Sequence, residues 1–177
     1  MLLTQKTYWI LALVPALLPL CWPNVVVQKT ATKVAGSSGT IVRSGDTLEY
    51  NIVVRNIGTL ATAGATFQDS IPAGTTYVAG STFYNYNTST KAATALADDA
   101  GGVMPFVTER HIESPGQGDG TLLVDKTTGS TTADRDKEVL ITFRVTVNAG
   151  AVSVQNQGIA KYIDDPGRSE ERRVGKE

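Results

Sequence analysis

Three polar residues occupy positions where the surrounding sequence predicts an apolar strand face. They are Lys29, Asp69 and Asn156, and each alternates with valine, phenylalanine or isoleucine along its own run. Burying an amine, a carboxyl group or a carboxamide costs free energy unless the group meets a polar partner. We therefore expect the three side chains to meet one another inside the domain.

Burial would also prepare these groups for chemistry. Desolvation lowers the pKa of a lysine amine, which frees it as a nucleophile, and raises the pKa of a carboxyl group, so that the protonated acid can polarise an amide. The same residues also allow a purely structural arrangement. In it Lys29 extends outward to solvent, Asp69 caps the turn before Pro72, and Asn156 bonds to backbone at a strand end.

The element with the clearest pattern is a strand predicted over residues 47–55, between the turn signals Ser44-Gly45-Asp46 and Asn56-Ile57-Gly58. Its apolar side consists of Leu48, Tyr50, Ile52 and Val54. A second strand, over residues 139–147, alternates in the same way. We expect the second strand to cover the first from an opposite layer, which predicts a sandwich.

The rest of the chain predicts shorter strands separated by turns. They cover residues 25–30, 40–43, 65–71, 75–86 with a break at Gly80-Ser81, 103–108, 121–125 and 151–162. Residues 87–120 are predicted as a long connection, and no run is a convincing amphipathic helix. The fold class expected for residues 25–167 is therefore all-β, an immunoglobulin-like β-sandwich of about seven or more strands.

The two ends of the chain differ from this body. Residues 1–24 place Lys6 before an apolar run interrupted by prolines, which predicts a signal peptide or hydrophobic leader that engages the export machinery. Cys21 as a lipid anchor is the weaker alternative. Residues 168–177, RSEERRVGKE, predict a solvated, disordered tail, and they also resemble the translation of a sequencing adapter. The expected location is secreted or at the bacterial cell surface.

Composition disfavours several classes of function. The formal net charge of −1 without a basic stripe argues against a nucleic-acid partner. One cysteine excludes an internal disulfide, and one histidine excludes a histidine-rich metal site. With no nucleophile–base pair, zinc spacing or phosphate loop in the sequence, we predict no enzymatic activity, no metal and no cofactor.

Five sequence features resemble a bacterial surface repeat, the conserved repeat domain also known as domain of unknown function eleven. The features are Lys29, Gly45-Asp46, Asn56-x-Gly58, the run from Asp69 through Pro72 to Gly74, and Asn156. The resemblance covers most of residues 25–163. It implies an immunoglobulin-like module of exported, wall-associated or outer-surface proteins, whose partners are neighbouring domains. In related surface domains a set such as Lys29, Asp69 and Asn156 forms a Lys–Asn isopeptide bond with loss of ammonia.

Two functions follow as expectations. The first is a non-catalytic structural spacer, stabilised by an internal isopeptide bond. The second is an adhesin-type module that binds a glycan or protein ligand. A candidate binding face for such a ligand consists of Tyr77, Phe83, Tyr84 and Tyr86, although core packing also accounts for aromatic residues in such a run. A third reading is a hydrolase fragment whose catalytic domain lies elsewhere in the gene.

Overall fold

A computed structural model describes residues 23–85, 93–114, 118, 120–123, 138–165 and 168–174. In these residues the chain forms ten strands and one short 3-10 helix. The strands are β1 (Val25–Ala35), β2 (Thr47–Asn56), β3 (Ala63–Asp69), β4 (Thr75–Tyr77), β5 (Phe83–Asn85), β6 (Thr94–Ala95), β7 (Arg110–His111), β8 (Glu138–Val147), β9 (Gly158–Asp165) and β10 (Arg168–Val174), and the helix is Pro105–Val107.

The strands form two antiparallel sheets. The first sheet has the order β1-β2-β8-β5-β6, with β4 also paired to β8, and the second has the order β10-β9-β3-β7. The expectation of an all-β sandwich of seven or more strands is confirmed. The break expected near Gly80-Ser81 separates β4 from β5, and both of these short strands pair with β8.

The two strands with the strongest alternation lie side by side. β2 pairs with β8, so Ile52 lies opposite Ile141 and Tyr50 opposite Phe143. The rings of the second pair stack with centroids 5.1 Å apart. The prediction that β8 covers β2 from an opposite layer is therefore wrong. A period of two identifies the buried side of a strand, but it does not tell a lateral neighbour from a facing one.

The layer that faces β2 and β8 consists of β3, β9 and the 3-10 helix. Phe67 of β3 and Phe106 of the helix are buried and meet edge to face, with ring centroids 5.8 Å apart. The helix replaces the strand predicted over residues 103–108. Pro105, which has no amide hydrogen to donate to a ladder, stands in its first turn.

Three further expectations differ from the structure. Residues 40–43 form no strand, and the last predicted strand begins only at Gly158 rather than at residue 151. Arg168–Val174 pairs with β9 along its length, so this part of the expected disordered tail is a strand. Residues 1–22, which contain nearly all of the predicted leader, lie outside the described residues. No helix within the described part of the chain is long and apolar enough to span a membrane.

Asp46 anchors the turn that leads into β2. Its side chain is 1% exposed. Its carboxylate accepts hydrogen bonds from the Ser37 amide at 2.5 Å, the Ser37 hydroxyl at 2.8 Å and the Arg43 amide at 2.8 Å. Gly36 permits this approach, since a Cβ there would lie 2.2 Å from Asp46 Oδ1. The hydrogen bond from the Ser37 amide is the main reason that the pKa of Asp46 lies well below its usual range.

We expect Asp46→Asn to destabilise the domain at neutral pH and to reduce its sensitivity to acid. Because the pKa of Asp46 is lower in the folded chain than in the unfolded chain, its stabilising effect is complete above about pH 4 and is lost as the pH falls further. Urea unfolding across this range should show the difference between variant and parent shrinking toward low pH. Glu49→Gln, which changes a partly exposed carboxylate paired with Arg144, is the control. A constant difference at every pH would contradict the assignment.

Candidate functional site

The structure brings Lys29 and Asp69 together across the interior of the sandwich. Lys29 lies on β1 of the first sheet and Asp69 lies at the end of β3 in the second. The Lys29 Nζ atom is 2.5 Å from Asp69 Oδ2, and their side chains are 3% and 0% exposed. Lys29 therefore does not extend to solvent, and Asp69 directs its carboxyl group into the domain rather than out of it.

Two aromatic rings support the lysine amine. The Nζ atom lies 4.8 Å from the ring centroid of Tyr50 and 5.7 Å from that of Phe143. These are the two rings that stack where β2 pairs with β8. The Lys29 amine therefore lies near two aromatic rings as well as beside Asp69, and aromatic faces attract the charged form of an amine.

Asn156 approaches the same pair from the segment that leads into β9. Its side chain is buried, and with Lys29 it lines a cleft of about 290 Å³ between β1 and this segment. Within the described residues, Asn156 Nδ2 and Asp69 Oδ1 are buried without a well-aligned hydrogen bond. The Asn156 amide nevertheless lies close enough to Asp69 to contribute to the pKa of that carboxyl group. The amine, the carboxyl group and the carboxamide thus share one site.

The path to Asn156 differs from the strand that its pattern predicts. Val152 has the same parity as Asn156 along the strand predicted over residues 151–162, so alternation places it on the same inward face. It is fully exposed instead, and residues 151–157 are not part of a strand. Asn156 is buried because the chain turns inward just before β9. The position of Asn156 therefore depends on tertiary packing rather than on alternation.

Burial shifts the pKa values of Lys29 and Asp69 toward each other. Desolvation lowers the pKa of the Lys29 amine, and the charge of Asp69 opposes this. Desolvation likewise raises the pKa of the Asp69 carboxyl group against the opposing charge of Lys29. Both shifts make the transfer of a proton from the Lys29 amine to the Asp69 carboxylate less costly than it would be in water.

Gly158 is a member of the site that sequence reasoning missed. A Cβ at this position would lie 2.7 Å from Cζ of Phe67 and 3.5 Å from Cγ of Asp69. Only glycine therefore lets β9 approach β3 closely at the level of the carboxyl group. The available signal was a glycine inside the strand predicted over residues 151–162, two residues after Asn156, since such a glycine often marks a close approach of another backbone.

These groups have the parts needed for an acyl transfer. A neutral Lys29 amine can attack the side-chain carbonyl carbon of Asn156, while protonated Asp69 donates a hydrogen bond to the carbonyl oxygen. Asp69 can then move a proton from the attacking nitrogen to the leaving one. A new C–N bond forms, the C–N bond of the carboxamide breaks, and one molecule of ammonia leaves.

The aromatic residues proposed as a binding face do not share one surface. Phe83 and Tyr84 are neighbours on β5, so their side chains project to opposite sides of the sheet. The Tyr77 hydroxyl donates to Asp98 Oδ1 at 2.6 Å, and the Tyr84 hydroxyl bonds to the backbone of Glu113. Tyr86 lies outside the described residues. Tyr84 alone among the three described residues lines a large open cleft, formed with the connection that follows β5.

No protein-family model and no curated protein matches the chain. One similar solved structure is titled "AvmM Catalyzes Macrocyclization in Alchivemycin A Biosynthesis". It is 14% identical, has a TM-score of 0.42, and the match covers 86% of this chain and 88% of that one. Its title describes an enzyme, so the prediction that this chain has no enzymatic activity is contradicted and is withdrawn. A likeness this distant assigns no reaction to the chain.

Proposed function

We propose that this chain is a structural module of an exported bacterial surface protein, and that an isopeptide bond between Lys29 and Asn156 joins its first strand to the segment before β9. The observation that supports the proposal is the buried contact between Lys29 and Asp69, with the Asn156 carboxamide in the same site. Asp69 promotes the bond as the acid that polarises the amide. Neighbouring domains of a longer surface protein are the proposed partners.

The position of this bond suits a module that carries tension. Lys29 lies in the first strand, and Asn156 lies two residues before the start of β9. Force applied to the two ends of the domain would be transmitted through the covalent bond. The strands between Lys29 and Asn156 would then bear no load. Closing nearly the whole domain in this way adds about 4–5 kcal/mol of stability if the chain-entropy relation for disulfides applies.

An ion pair alone is a weaker explanation of this site. Burying two charges costs the free energy of their hydration, and their mutual attraction barely offsets this cost. Such a pair therefore contributes little net stability. The directions of the two pKa shifts also make the uncharged forms of Lys29 and Asp69 less costly than they are in water. A covalent product removes the need to keep either charge in the interior.

Mass spectrometry and single-molecule force spectroscopy test the proposal together. The intact domain should weigh about 17 Da less than its sequence, the mass of one ammonia molecule. Pulled from its ends, it should extend only by the chain outside the segment from Lys29 to Asn156. A domain with full calculated mass contradicts the bond. A domain that has lost ammonia but extends completely contradicts the tension-bearing role while leaving the bond intact.

Adhesion to a surface ligand is a second candidate function. It is favoured by the cleft of about 680 Å³ that Tyr84 lines, a volume within the range of about 300–1,000 Å³ typical of ligand sites. This cleft includes residues of the long connection predicted over residues 87–120. The spacer role and the binding role are compatible in one chain, because the cleft and the lysine site share no residue.

A further inference from the structure

The cleft beside Tyr84 opens where the two sheets part. Tyr84 of β5 and Leu96, just after β6, contribute from the first sheet, and β7 contributes from the second. Phe106 of the 3-10 helix lies between them. The volume of about 680 Å³ is large enough for a small ligand.

The aromatic walls of the cleft are held in place before any ligand arrives. The Tyr84 hydroxyl accepts a hydrogen bond from the Glu113 amide at 2.7 Å and lies 2.9 Å from the Glu113 carbonyl oxygen, to which it donates. Phe106 packs edge to face against Phe67 of the core. A ligand would therefore meet a formed surface, which reduces the entropy lost on binding.

Charges at the rim are largely matched by neighbouring residues. The Glu109 carboxylate accepts from Lys161 Nζ at 2.7 Å and from the Thr66 hydroxyl at 3.0 Å. Arg110 pairs with Asp99 and donates from Nε to the Pro105 carbonyl oxygen at 2.6 Å. His111 adds an exposed imidazole to the lining. The rim therefore offers oriented hydrogen-bonding groups without a strong excess of one charge.

These features select among classes of ligand. A strongly charged ligand would compete with ion pairs that are already formed. A purely apolar ligand would desolvate the charged rim without replacing its hydrogen bonds. An extended peptide would need a long strand edge to pair with, whereas the strands at the cleft, β6 and β7, are each two residues long.

We propose that this cleft binds a neutral carbohydrate. The C–H face of a sugar ring would lie against Tyr84 and Leu96, and its hydroxyl groups would bond to Glu109 and His111. A sugar suits the site because it combines one apolar face with many hydrogen-bonding groups. This inference rests on the adhesion function proposed above and is independent of the isopeptide bond, because the cleft and the lysine site share no residue.

The test begins with the full chain on an array of neutral and anionic oligosaccharides, followed by NMR titration with a neutral oligosaccharide that binds. Glu109→Gln and His111→Ala should each weaken binding about tenfold, as expected for the loss of one good hydrogen bond. The matched control is Glu49→Gln, because Glu49 forms an ion pair of similar length and exposure with Arg144 on the first sheet. This variant should bind like the parent.

Four results would overturn the proposal. Three concern the ligand: no binding of any neutral sugar at millimolar concentration, binding of anionic sugars only, or selective binding of an unglycosylated peptide library instead. The fourth concerns the variants: equal affinities of Glu109→Gln and Glu49→Gln for the neutral sugar. Amide spectra of each variant should match those of the parent, which separates loss of the site from loss of the fold.

Discussion

Lys29→Arg should abolish the covalent bond and lower the free energy of unfolding by about 4–5 kcal/mol. Arginine can still pair with Asp69 and lie against the rings of Tyr50 and Phe143. Its guanidinium group remains protonated in proteins, so it does not supply a neutral amine to attack Asn156. The variant should therefore have the mass calculated from its sequence, and urea unfolding should give the loss of stability.

The control for this change is Lys161→Arg. Lys161 is a half-exposed lysine on β9 paired with Glu109, so the same substitution there leaves the buried site untouched. This control should still lose ammonia, and its stability should remain within about 0.5 kcal/mol of the parent. If only the parent loses ammonia but Lys29→Arg is equally stable, the bond forms without stabilising the fold.

Asp69→Ala should prevent formation of the bond and leave the amine of Lys29 buried without its partner. A buried charge left without its partner costs about 3–5 kcal/mol, in addition to the loss of the covalent constraint. Because burial lowers the pKa of Lys29 in the folded chain, the unfolded chain binds more protons between the two pKa values. The stability of the variant should therefore rise with pH between neutral and mildly alkaline solution, which urea unfolding at several pH values can measure.

A double variant distinguishes the buried charge from a loss of packing. Lys29→Met combined with Asp69→Leu replaces both polar groups by apolar side chains, and such exchanges are often neutral or stabilising relative to the intact pair. The double variant should be more stable than Asp69→Ala, and its stability should vary less with pH. A double variant that is as unstable as Asp69→Ala, with the same pH dependence, would contradict the assigned role of the Lys29 charge.

A covalent bond at this position would also take the place of the internal disulfide that the composition excludes. The chain has a single cysteine, so no internal disulfide can join the first and last parts of the domain. Asp46, Ser37 and Arg43 stabilise only one turn. The lysine site connects the two sheets, and it is the place where one added bond constrains most of the chain.

Alternation in the sequence determined which residues face the interior. Leu48, Ile52 and Val54 on β2 are buried, as are the inward residues of β8, because successive side chains of a strand point to opposite sides. The same rule indicated that Lys29 and Asp69 point inward. Hydrophobic periodicity is a local property, so it can be read without knowing what the strand packs against.

Tertiary structure alone decided which elements meet. It placed β8 beside β2 instead of across from it, brought β1 and β3 together at Lys29 and Asp69, and turned residues 105–107 into a 3-10 helix. It buried Asn156 although Val152 is exposed, and it made Gly158 necessary for the approach of β9 to β3. Pairing and distance depend on residues far apart in the chain, and a local pattern carries no information about such neighbours.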